Sequence, residues 1–273
     1  MSRVKVSVII TTKNEERNIA RCLESVQNQL PGDYDLEIIV VDNASTDRTQ
    51  EIALQYTSKV FNWGPERSAQ RNFGVQKAQG DYVLYLDADM ILDEGVVNSC
   101  VLRVQQKPGL VALYITEIVM GCSYFSRVRR FERSFYDATP IDGVRFIRRA
   151  DFLSVGGFDE TFSGPEDWDL DNKLSIRGDF DLIKTPIFHN EAEFNLHKYL
   201  HKKAYYAASF DRYIAKWGPK HPRVRKQFSP FYRYVGAFVE NGKWRKLIGV
   251  PYLAIGMYFI RFLVGVTFVL RKG

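Results

Sequence analysis

Short apolar runs alternate with amphipathic segments along the first 90 residues, and this alternation limits the possible folds more than any other feature. The runs are rich in valine and isoleucine, and the segments between them carry apolar residues at helical spacing. Strands separated by helices make right-handed crossovers and pair in parallel. Because the runs are continuously apolar, we expect both faces of the sheet to be covered. The predicted strands are Val4–Ile10, Leu36–Val41, Lys59–Phe61 and Tyr82–Leu86.

The second half of the chain repeats strand and helix patterns less regularly. Further strands are predicted at Leu110–Val119, Val144–Ile147 and Phe180–Phe188, and helices at Val96–Gln106, Pro165–Ile176 and Glu193–Trp217. We therefore predict an α/β domain over residues 1–195, with a mainly parallel sheet flanked by helices and with halves at 1–90 and 91–195. A basic helical extension is expected over residues 196–273.

Charge and cysteine content narrow the class of protein. The net charge is +6, and the excess lies in the C-terminal half, which suits a phosphate-bearing substrate, an anionic membrane or nucleic acid. The three cysteines, Cys22, Cys100 and Cys122, show no CxxC spacing, which disfavours a disulfide framework or a cysteine zinc site and favours the cytoplasm. The first apolar run lacks a small-residue cleavage site, so we predict a buried strand there, not a signal peptide.

The C-terminal end carries an apolar segment, residues 247–270, in which Arg261 is the single charge. Its length suits a membrane span, but an arginine at the bilayer centre costs about 2.5–3.5 kcal/mol on insertion scales. Basic flanks and several aromatic residues suit the membrane interface instead. We therefore predict that this segment associates with a membrane surface, with a span and a helix buried in the protein or an oligomer as the alternatives.

Polar clusters follow three of the predicted strands, at Thr11–Glu15, Asp42–Asp47 and Asp87–Asp89. In an open parallel sheet, ligands bind outside the carboxyl ends of the strands, so the three clusters are expected to line one crevice. No GxGxxG or Walker sequence follows the first strand, which disfavours dinucleotide oxidoreductases and P-loop NTPases. Asp42 also fits a plain Asx turn that leads into a helix.

Asp87 and Asp89 form a D-x-D pattern after a buried strand. Two carboxylates in this position can hold a divalent cation, Mg²⁺ or Mn²⁺, that bridges diphosphate oxygens. The alternative is that one aspartate caps a turn and the other is solvated, because D-x-D by itself is a weak signal.

Glu166 and Asp167 follow a Gly-Pro turn and begin a predicted helix. A carboxylate in a cleft can act as the general base on a hydroxyl, although acids at a helix N-terminus are also explained by the helix dipole. His189 lies just past a strand and either completes a metal site or packs there as an ordinary histidine. Arg71 and Arg67 are four residues apart on one helix face, which is otherwise typical of a solvated surface.

Five ordered motifs together resemble family 2 glycosyltransferases of the GT-A fold. The motifs cover about residues 4–190 in order. They are VSVIITTKNE (Val6–Glu15), IIVVDNASTD (Ile38–Asp47), Arg71–Gly74 with GDYVLYLDAD (Gly80–Asp89), GGFDE (Gly156–Glu160) and PEDWD (Pro165–Asp169).

The resemblance implies a GT-A, Rossmann-like fold, a nucleoside-diphosphate sugar donor, a divalent metal and inversion at the anomeric carbon. By the same resemblance, the base and ribose would be contacted by Thr11, Glu15 and Asp42, and Arg71 would face the nucleotide or its phosphates. Asp87 would lie beside the ribose and metal, with Asp89 as metal ligand and His189 as a late ligand found in some relatives. Asp167 resembles the general base, with Glu166 beside it.

The first motif reads Thr-Thr-Lys-Asn-Glu where many members have a proline, so the base contacts are expected to differ. The QxxRW signature of processive synthases is absent from the sequence, which favours transfer of a single sugar. We predict transfer from a nucleoside-diphosphate sugar, with UDP favoured, to a lipid-linked or cell-envelope glycan at the cytoplasmic face of an anionic membrane. The alternatives are a nucleotidyltransferase and a membrane-recruited binding module without transfer. No nucleic-acid partner is expected, and the oligomeric state is left open.

Overall fold

A computed structural model describes residues 3–191 and 194–272 of the chain. Its centre is one eight-stranded sheet with the order β3-β2-β1-β4-β7-β6-β8-β5. The strands are β1 (Val4–Thr12), β2 (Tyr34–Asp42), β3 (Val60–Asn62), β4 (Tyr82–Asp87), β5 (Met90–Leu92), β6 (Leu110–Val119), β7 (Phe146–Arg148) and β8 (Asp179–His189). The predicted α/β class is confirmed, and the apolar runs of the sequence form the central strands.

The pairing of the strands is parallel in the N-terminal half and mixed in the second half. Strand β1 pairs in parallel with β2 and β4, β2 pairs in parallel with β3, and β6 pairs in parallel with β8. The short strand β7 is antiparallel to both β4 and β6, and β5 is antiparallel to β8. The predicted mainly parallel sheet is therefore confirmed, and β7 joins its two halves.

Helices cover both faces of the sheet. Those of residues 1–195 are α1 (Ile19–Gln27), α2 (Thr49–Ala53), α3 (Arg67–Lys77), α4 (Val96–Gln106), α5 (Tyr124–Arg133), α6 (Arg149–Ser154) and α7 (Glu166–Leu174). Successive residues of β1 point to opposite faces, so Val8 packs with α1 and α4, whereas Ile9 packs with α3, α6 and α7. Burial on both faces explains why the strands are continuously apolar.

The extension beyond residue 195 is helical. It contains α8 (Leu196–Ala207), α9 (Phe210–Trp217), α10 (Pro222–Phe228), a π-helical turn (Tyr232–Gly236), α11 (Ala237–Val239), a 3₁₀ turn (Glu240–Gly242), α12 (Trp244–Gly249) and α13 (Pro251–Lys272). The domain boundary at residue 195 stays a prediction.

The prediction of one continuous helix at Glu193–Trp217 is wrong. Its first residue lies outside the described residues, and the rest forms two helices, α8 and α9. The break falls at Ser209, which is 1% exposed and whose hydroxyl accepts a hydrogen bond from the backbone N–H of Ser163 at 3.1 Å. Because this contact ties the chain to a distant loop, the sequence pattern of the helix does not reveal it.

Helix α13 packs along α5, and this packing gives Arg261, the charge inside its apolar segment, an acidic partner. Met257 and Ile260 are buried against Val128 of α5. Arg261 is 7% exposed, and its Nη1 donates to Glu132 Oε1 at 2.7 Å. Among the described residues, no helix is both long enough and apolar enough to cross a bilayer.

Candidate active site

The carboxyl ends of β1 and β4 are adjacent, because the two strands pair in parallel with Thr11 opposite Asp87. The Thr11 hydroxyl donates to Asp87 Oδ1 at 3.1 Å. Arg71, which lies on α3, donates from Nη2 to the same oxygen at 3.0 Å. The parallel pairing of β1 and β4, together with helix α3, thus brings three of the predicted site residues into contact: Thr11, Asp87 and Arg71.

Arg71 also reaches the other predicted group, at the start of α7. Its Nη1 donates to Asp167 Oδ1 at 3.1 Å, so one guanidinium joins Asp87 to Asp167. The guanidinium carbon lies 4.4 Å from the ring centroid of Tyr85, and the arginine is 2% exposed. A solvated surface is therefore the wrong interpretation for Arg71.

Positive charge surrounds Asp87. Arg67 Nη1 lies 3.6 Å from Asp87 Oδ2, the oxygen that Arg71 does not contact. Burial alone would raise the pKa of Asp87, but the charges of Arg71, Arg67 and Arg145 outweigh it and hold the pKa far below the usual range. Asp87 is therefore a permanent anion held between arginines.

Asp89 and His189 form a second group, where β5 meets β8. His189 Nε2 lies 3.2 Å from Asp89 Oδ2, and its Nδ1 lies 2.9 Å from Glu117 Oε1 on β6. Burial lowers the pKa of His189, but hydrogen bonds to Asp89 and Glu117 outweigh this and raise it to about 10. The imidazole lies between two carboxylates. Asp89 and His189 are therefore adjacent, as a shared metal site would require.

Asp89 Oδ1 is buried and has no hydrogen-bond partner within the described ranges. A buried carboxylate oxygen without a partner is costly, and a cation would satisfy it. In the described chain, no three histidine, cysteine or acidic side chains are grouped closely enough to hold a metal ion. This donor set still fits Mg²⁺ or Mn²⁺, which are commonly held by one or two carboxylates and completed by substrate phosphates.

Glu166 and Asp167 occupy the first two positions of α7 but differ in environment. Glu166 accepts from Arg67 Nη2 at 3.0 Å and from the backbone N–H of Gly164, and its side chain is 4% exposed. Burial and the charge of Asp167 raise the pKa of Glu166. The Asp167 side chain is 29% exposed, so it is the more accessible of the two carboxylates.

Asp167 is also held from the side facing the sheet. The Tyr85 hydroxyl lies 3.3 Å from Asp167 Oδ1, the oxygen that Arg71 contacts. A Cβ added at Gly143 would lie 2.8 Å from the Asp167 Cβ, so the missing side chain there makes room for the aspartate. The position of Asp167 therefore depends on three other elements.

Asp42 ends β2, and Glu15 lies in the loop that follows β1. Asp42 is fully buried, and its Oδ2 accepts from Ser45 N–H at 2.8 Å and from Gln50 Nε2 at 2.6 Å. The Asp42 carboxylate therefore holds the loop after β2, but through the backbone of the residue three positions on and not through the two-residue bond of an Asx turn. Glu15 Oε2 accepts from Asn18 Nδ2 at 2.7 Å, and burial raises the pKa of Glu15.

The loops after β1 and β2 are bonded to each other. The Asn14 N–H donates to Ser45 Oγ at 2.7 Å, and the Thr46 N–H donates to Asn14 Oδ1 at 2.8 Å. Asn14 and Ala44 have φ values of 54° and 50°, which non-glycine residues adopt rarely. The loops hold this conformation at the mouth of the crevice.

The sequence profile of the family described as "Glycosyl transferase family 2" matches residues 7–163, which include the ends of β1, β2 and β4. That range is more than half of the chain.

The chain belongs to glycosyl transferase family 2.

Curated relatives of this family 2 chain agree with the assignment. GlyG, a glycosyltransferase of Streptococcus pneumoniae serotype 4, is 26% identical over 202 residues, which cover 70% of this chain and 60% of GlyG. The poly(ribitol-phosphate) beta-glucosyltransferase of Bacillus spizizenii is 38% identical over 96 residues, or 32% of this chain and 15% of that protein. The matches to the first relatives span between 15% and 60% of the relatives' own length.

Solved structures show the same fold. The mannosyltransferase PcManGT from Pyrobaculum calidifontis, in complex with GDP-Man and Mn²⁺, has a TM-score of 0.69 at 18% identity, covering 99% of this chain and 88% of that one. Residues 1–349 of S. aureus TarS, in complex with UDP-GlcNAc, give a TM-score of 0.54 at 21% identity, covering 76% and 66%. The predicted GT-A fold is confirmed.

Glu117 is a residue of this family 2 site that sequence reasoning missed. It lies in β6 and contacts His189 on one oxygen and Arg133 and Arg145 on the other, at 3.4 and 3.3 Å. A signal was present, because Glu117 is a charge inside an otherwise apolar ten-residue strand, and buried charges are rare unless paired. Its partners come from α5, from β8 and from the residue just before β7, which the sequence pattern does not bring together.

Proposed function

We propose that this family 2 chain is an inverting glycosyltransferase that moves one sugar from a nucleoside-diphosphate sugar to a hydroxyl acceptor. The observation that carries the proposal is the double contact of Arg71 with Asp87 and Asp167. It joins the strand-end aspartate to the accessible carboxylate at the start of α7. In a displacement reaction, the groups that bind the leaving diphosphate and the group that activates the acceptor hydroxyl must lie on opposite sides of the reacting carbon.

Asp167 is the proposed general base. Its Oδ1 is held by Arg71 and Tyr85, whereas no described residue makes a hydrogen bond to its Oδ2. Oδ2 is therefore the atom that accepts the proton from the acceptor hydroxyl. Glu166, buried and bound to Arg67, is proposed to hold Arg67 in place and not to touch the acceptor.

Asp89, with Asp87 and His189, is proposed to hold Mn²⁺ or Mg²⁺ together with the donor diphosphate. Because a ligating imidazole must be neutral, His189 would release a proton when the ion binds. The bound ion would neutralise charge that develops on the departing diphosphate. Arg71 and Arg67 contribute to the same end, because their positive charges already lie within 3.6 Å of Asp87 at the strand ends. The crystal complexes of the two neighbours contain GDP-Man with Mn²⁺ and UDP-GlcNAc, which supports a donor of this class.

Thr11, Glu15 and Asp42 are proposed to contact the base and ribose. Asp42 already accepts two hydrogen bonds on Oδ2 and one on Oδ1, so a base N–H would take the remaining acceptor position on Oδ1. The Glu15 carboxylate lies near the crevice mouth beside Asn18. A UDP-sugar is the donor we favour.

We further propose that the chain works peripherally at the cytoplasmic face of an anionic membrane, on a lipid-linked or cell-envelope glycan. One side of α13 packs on α5, and the other exposes an apolar stripe with members three and four residues apart. Basic side chains lie beside it, including Arg127 and the exposed Arg245. A cationic rim around an apolar helix face suits an anionic bilayer surface. The stripe consists of Tyr252, Ile255, Phe259, Phe262 and Val266.

The test is a thermal-shift panel of UDP-, GDP- and dTDP-sugars, each with and without Mn²⁺. We expect one nucleotide sugar to stabilise the chain, and to do so more strongly with the metal. Hydrolysis of that donor in the absence of acceptor would then separate an enzyme from a binding module. Stabilisation by none of the donors would contradict the proposal.

A further inference from the structure

A cavity of about 160 Å³ lies between the start of α3, the start of α7 and helix α8. Because an apolar cavity of about 150 Å³ holds a six-membered ring such as benzene, this volume is large enough for one such ring. The cavity combines aromatic rings with a few polar groups, which is typical of sites for small molecules. Its lining includes Glu66, Arg67, Glu166, Lys202, Tyr205 and Tyr206.

Two neighbouring tyrosines of α8 form one wall of the cavity, and hydrogen bonds hold both of them in place. The Tyr205 hydroxyl donates to Glu66 Oε1 at 2.7 Å and lies 3.4 Å from Ser163 Oγ. The Tyr206 hydroxyl accepts from Arg67 Nη2 at 3.0 Å. Both rings are therefore positioned before a ligand arrives, which lowers the entropy cost of binding one.

The aromatic wall suits the ring of a sugar. Tyr205 is 48% exposed although its hydroxyl is tethered, so part of its apolar ring is left in contact with water. The C–H groups of a pyranose carry partial positive charge and pack well on the negative face of an aromatic ring. The hydroxyls of a pyranose need donors and acceptors, and Glu66, Ser163 and Lys202 supply both at this cavity.

The charges of the cavity favour a neutral ligand over a phosphate. Two carboxylates, Glu66 and Glu166, and two cations, Arg67 and Lys202, line it. Glu166 accepts from Arg67 Nη2 at 3.0 Å, and Glu66 accepts from Tyr205, so hydrogen bonds keep both carboxylates at the cavity. A phosphate would be repelled by these two carboxylates as well as attracted by the two cations. An uncharged sugar meets no such repulsion.

Arg67 connects the cavity to the proposed reaction site. Its Nη1 lies 3.6 Å from Asp87 Oδ2 at the strand ends, whereas its Nη2 contacts both Glu166 and Tyr206 at 3.0 Å. Glu166 directly precedes the proposed base, Asp167, in the first turn of α7. The cavity therefore adjoins the part of the site to which an acceptor hydroxyl must come.

We propose that this cavity binds a neutral pyranose ring of the acceptor, with Tyr205 and Tyr206 as its aromatic wall. The hydroxyl that receives the new sugar then belongs to another sugar and not to a lipid phosphate. Helix α8 lies beyond residues 7–163, which the family profile matches, so this wall is an addition to the shared part of the family. The assignment of the ring to the acceptor rests on the proposed function, whereas the binding of a pyranose does not.

The experiment is saturation-transfer NMR on the whole chain in EDTA without nucleotide. The probes are the methyl pyranosides of glucose, N-acetylglucosamine and mannose, with glycerol as an open-chain polyol. We expect at least one pyranoside to bind and glycerol not to bind. The dissociation constant of that pyranoside should rise about threefold to tenfold in Tyr205→Leu and in Tyr206→Leu, because each variant loses an aromatic contact. Tyr205→Phe keeps the ring and should bind more tightly than Tyr205→Leu.

Tyr124→Leu is the matched control, because it removes a ring that is 43% exposed on α5 and does not line the cavity. Its dissociation constant should equal that of the native chain. Absence of binding by all three pyranosides would overturn the proposal. Equal dissociation constants in Tyr205→Leu, Tyr206→Leu and Tyr124→Leu would overturn it as well.

A competition measurement separates the acceptor from the donor. The nucleotide sugar selected by the thermal-shift panel should leave the bound pyranoside in place. Displacement of the pyranoside would assign the cavity to the donor sugar and overturn the proposal. Pyranoside binding without a response to any nucleotide sugar would reject only the proposed function.

Discussion

Arg71 donates one guanidinium nitrogen to Asp87 and the other to Asp167, at 3.0 and 3.1 Å. The two aspartates are 80 residues apart in sequence and lie on different elements, β4 and α7. One side chain, itself 2% exposed, therefore fixes the distance between the strand-end carboxylate and the proposed base.

Loss of this guanidinium should destabilise the fold. Arg71→Gln removes the guanidinium that contacts both Asp87 and Asp167, although Arg67 stays beside Asp87. Removing one partner of a buried pair costs about 3–5 kcal/mol. Urea unfolding should therefore show a lower midpoint with an unchanged slope. Arg48→Gln is the control, since its ion pair with Glu51 lies on the exposed surface and its loss should leave the midpoint unchanged. Equal midpoints for the two variants would contradict the buried role of Arg71.

Asp167→Asn should abolish transfer while the fold persists. The amide keeps the shape of the side chain but cannot take a proton, and loss of a general base costs about 10²–10⁴-fold in rate. The turnover number should fall, whereas stabilisation by the donor should stay as in the native chain. Turnover retained by purified Asp167→Asn would reject the base assignment.

Asp89→Ala should also abolish transfer, but for a different reason. Asp89 Oδ1 is the buried oxygen without a hydrogen-bond partner in the described ranges, and it is the proposed metal contact. The increase in melting temperature that Mn²⁺ adds to donor binding should therefore disappear in this variant and persist in Asp167→Asn. If Mn²⁺ raised the melting temperature of Asp89→Ala as much as that of the native chain, the metal would not bind at Asp89.

The free energy of unfolding should depend on pH through Asp171, a buried residue of α7. Tyr114 donates to it at 2.7 Å and Arg223 at 3.1 Å, yet burial outweighs these contacts and raises its pKa to about 7. Because the folded state holds the proton more tightly than the unfolded state, this group stabilises the fold below about pH 4, and that contribution is lost as the pH rises to about 7.

Asp171→Asn should remove this decline, so the stability of the native chain relative to the variant should fall between about pH 4 and pH 7. Denaturant unfolding at several pH values measures it. Asp179→Asn, at an exposed position, should keep the decline. Parallel curves for the native chain and Asp171→Asn would show that the pKa of Asp171 is the same in the folded and unfolded states, which would contradict the prediction.

The strand ends of this site follow from the sequence because they depend on local patterns. Continuous apolar runs end where Thr11, Asp42 and Asp87 begin the polar clusters, and parallel pairing then brings these ends together. The partners of His189 depend instead on tertiary packing. Glu117 reaches it from the neighbouring strand β6, across a pairing that has two register shifts. The composition of the sequence and the spacing of its residues do not predict that register.

The outer face of α13 should bind anionic vesicles. Phe259 and Phe262 are 52% and 62% exposed on the apolar stripe, and full burial of one such ring is worth about 1.5–3 kcal/mol. The double change Phe259→Ser and Phe262→Ser should therefore weaken sedimentation with phosphatidylglycerol vesicles by at least about tenfold. Ile176→Ser, at a residue 79% exposed elsewhere, should have no effect. Equal binding to phosphatidylcholine vesicles would show that the cationic rim does not contribute to binding.

Gly143→Ala should separate positioning of the base from folding and from donor binding. The added methyl would lie 2.8 Å from the Asp167 Cβ, a distance that real side chains do not keep, so Asp167 must shift from the position in which Arg71 and Tyr85 contact it. Since a small displacement of a catalytic group lowers the rate by about 10²-fold, turnover should fall while the donor still stabilises the chain. Gly109→Ala is the control, because nothing lies within 4 Å of the added methyl. If Gly143→Ala kept full turnover with its fold intact, the position of Asp167 would not matter to the reaction, and the base would have to be sought among other residues.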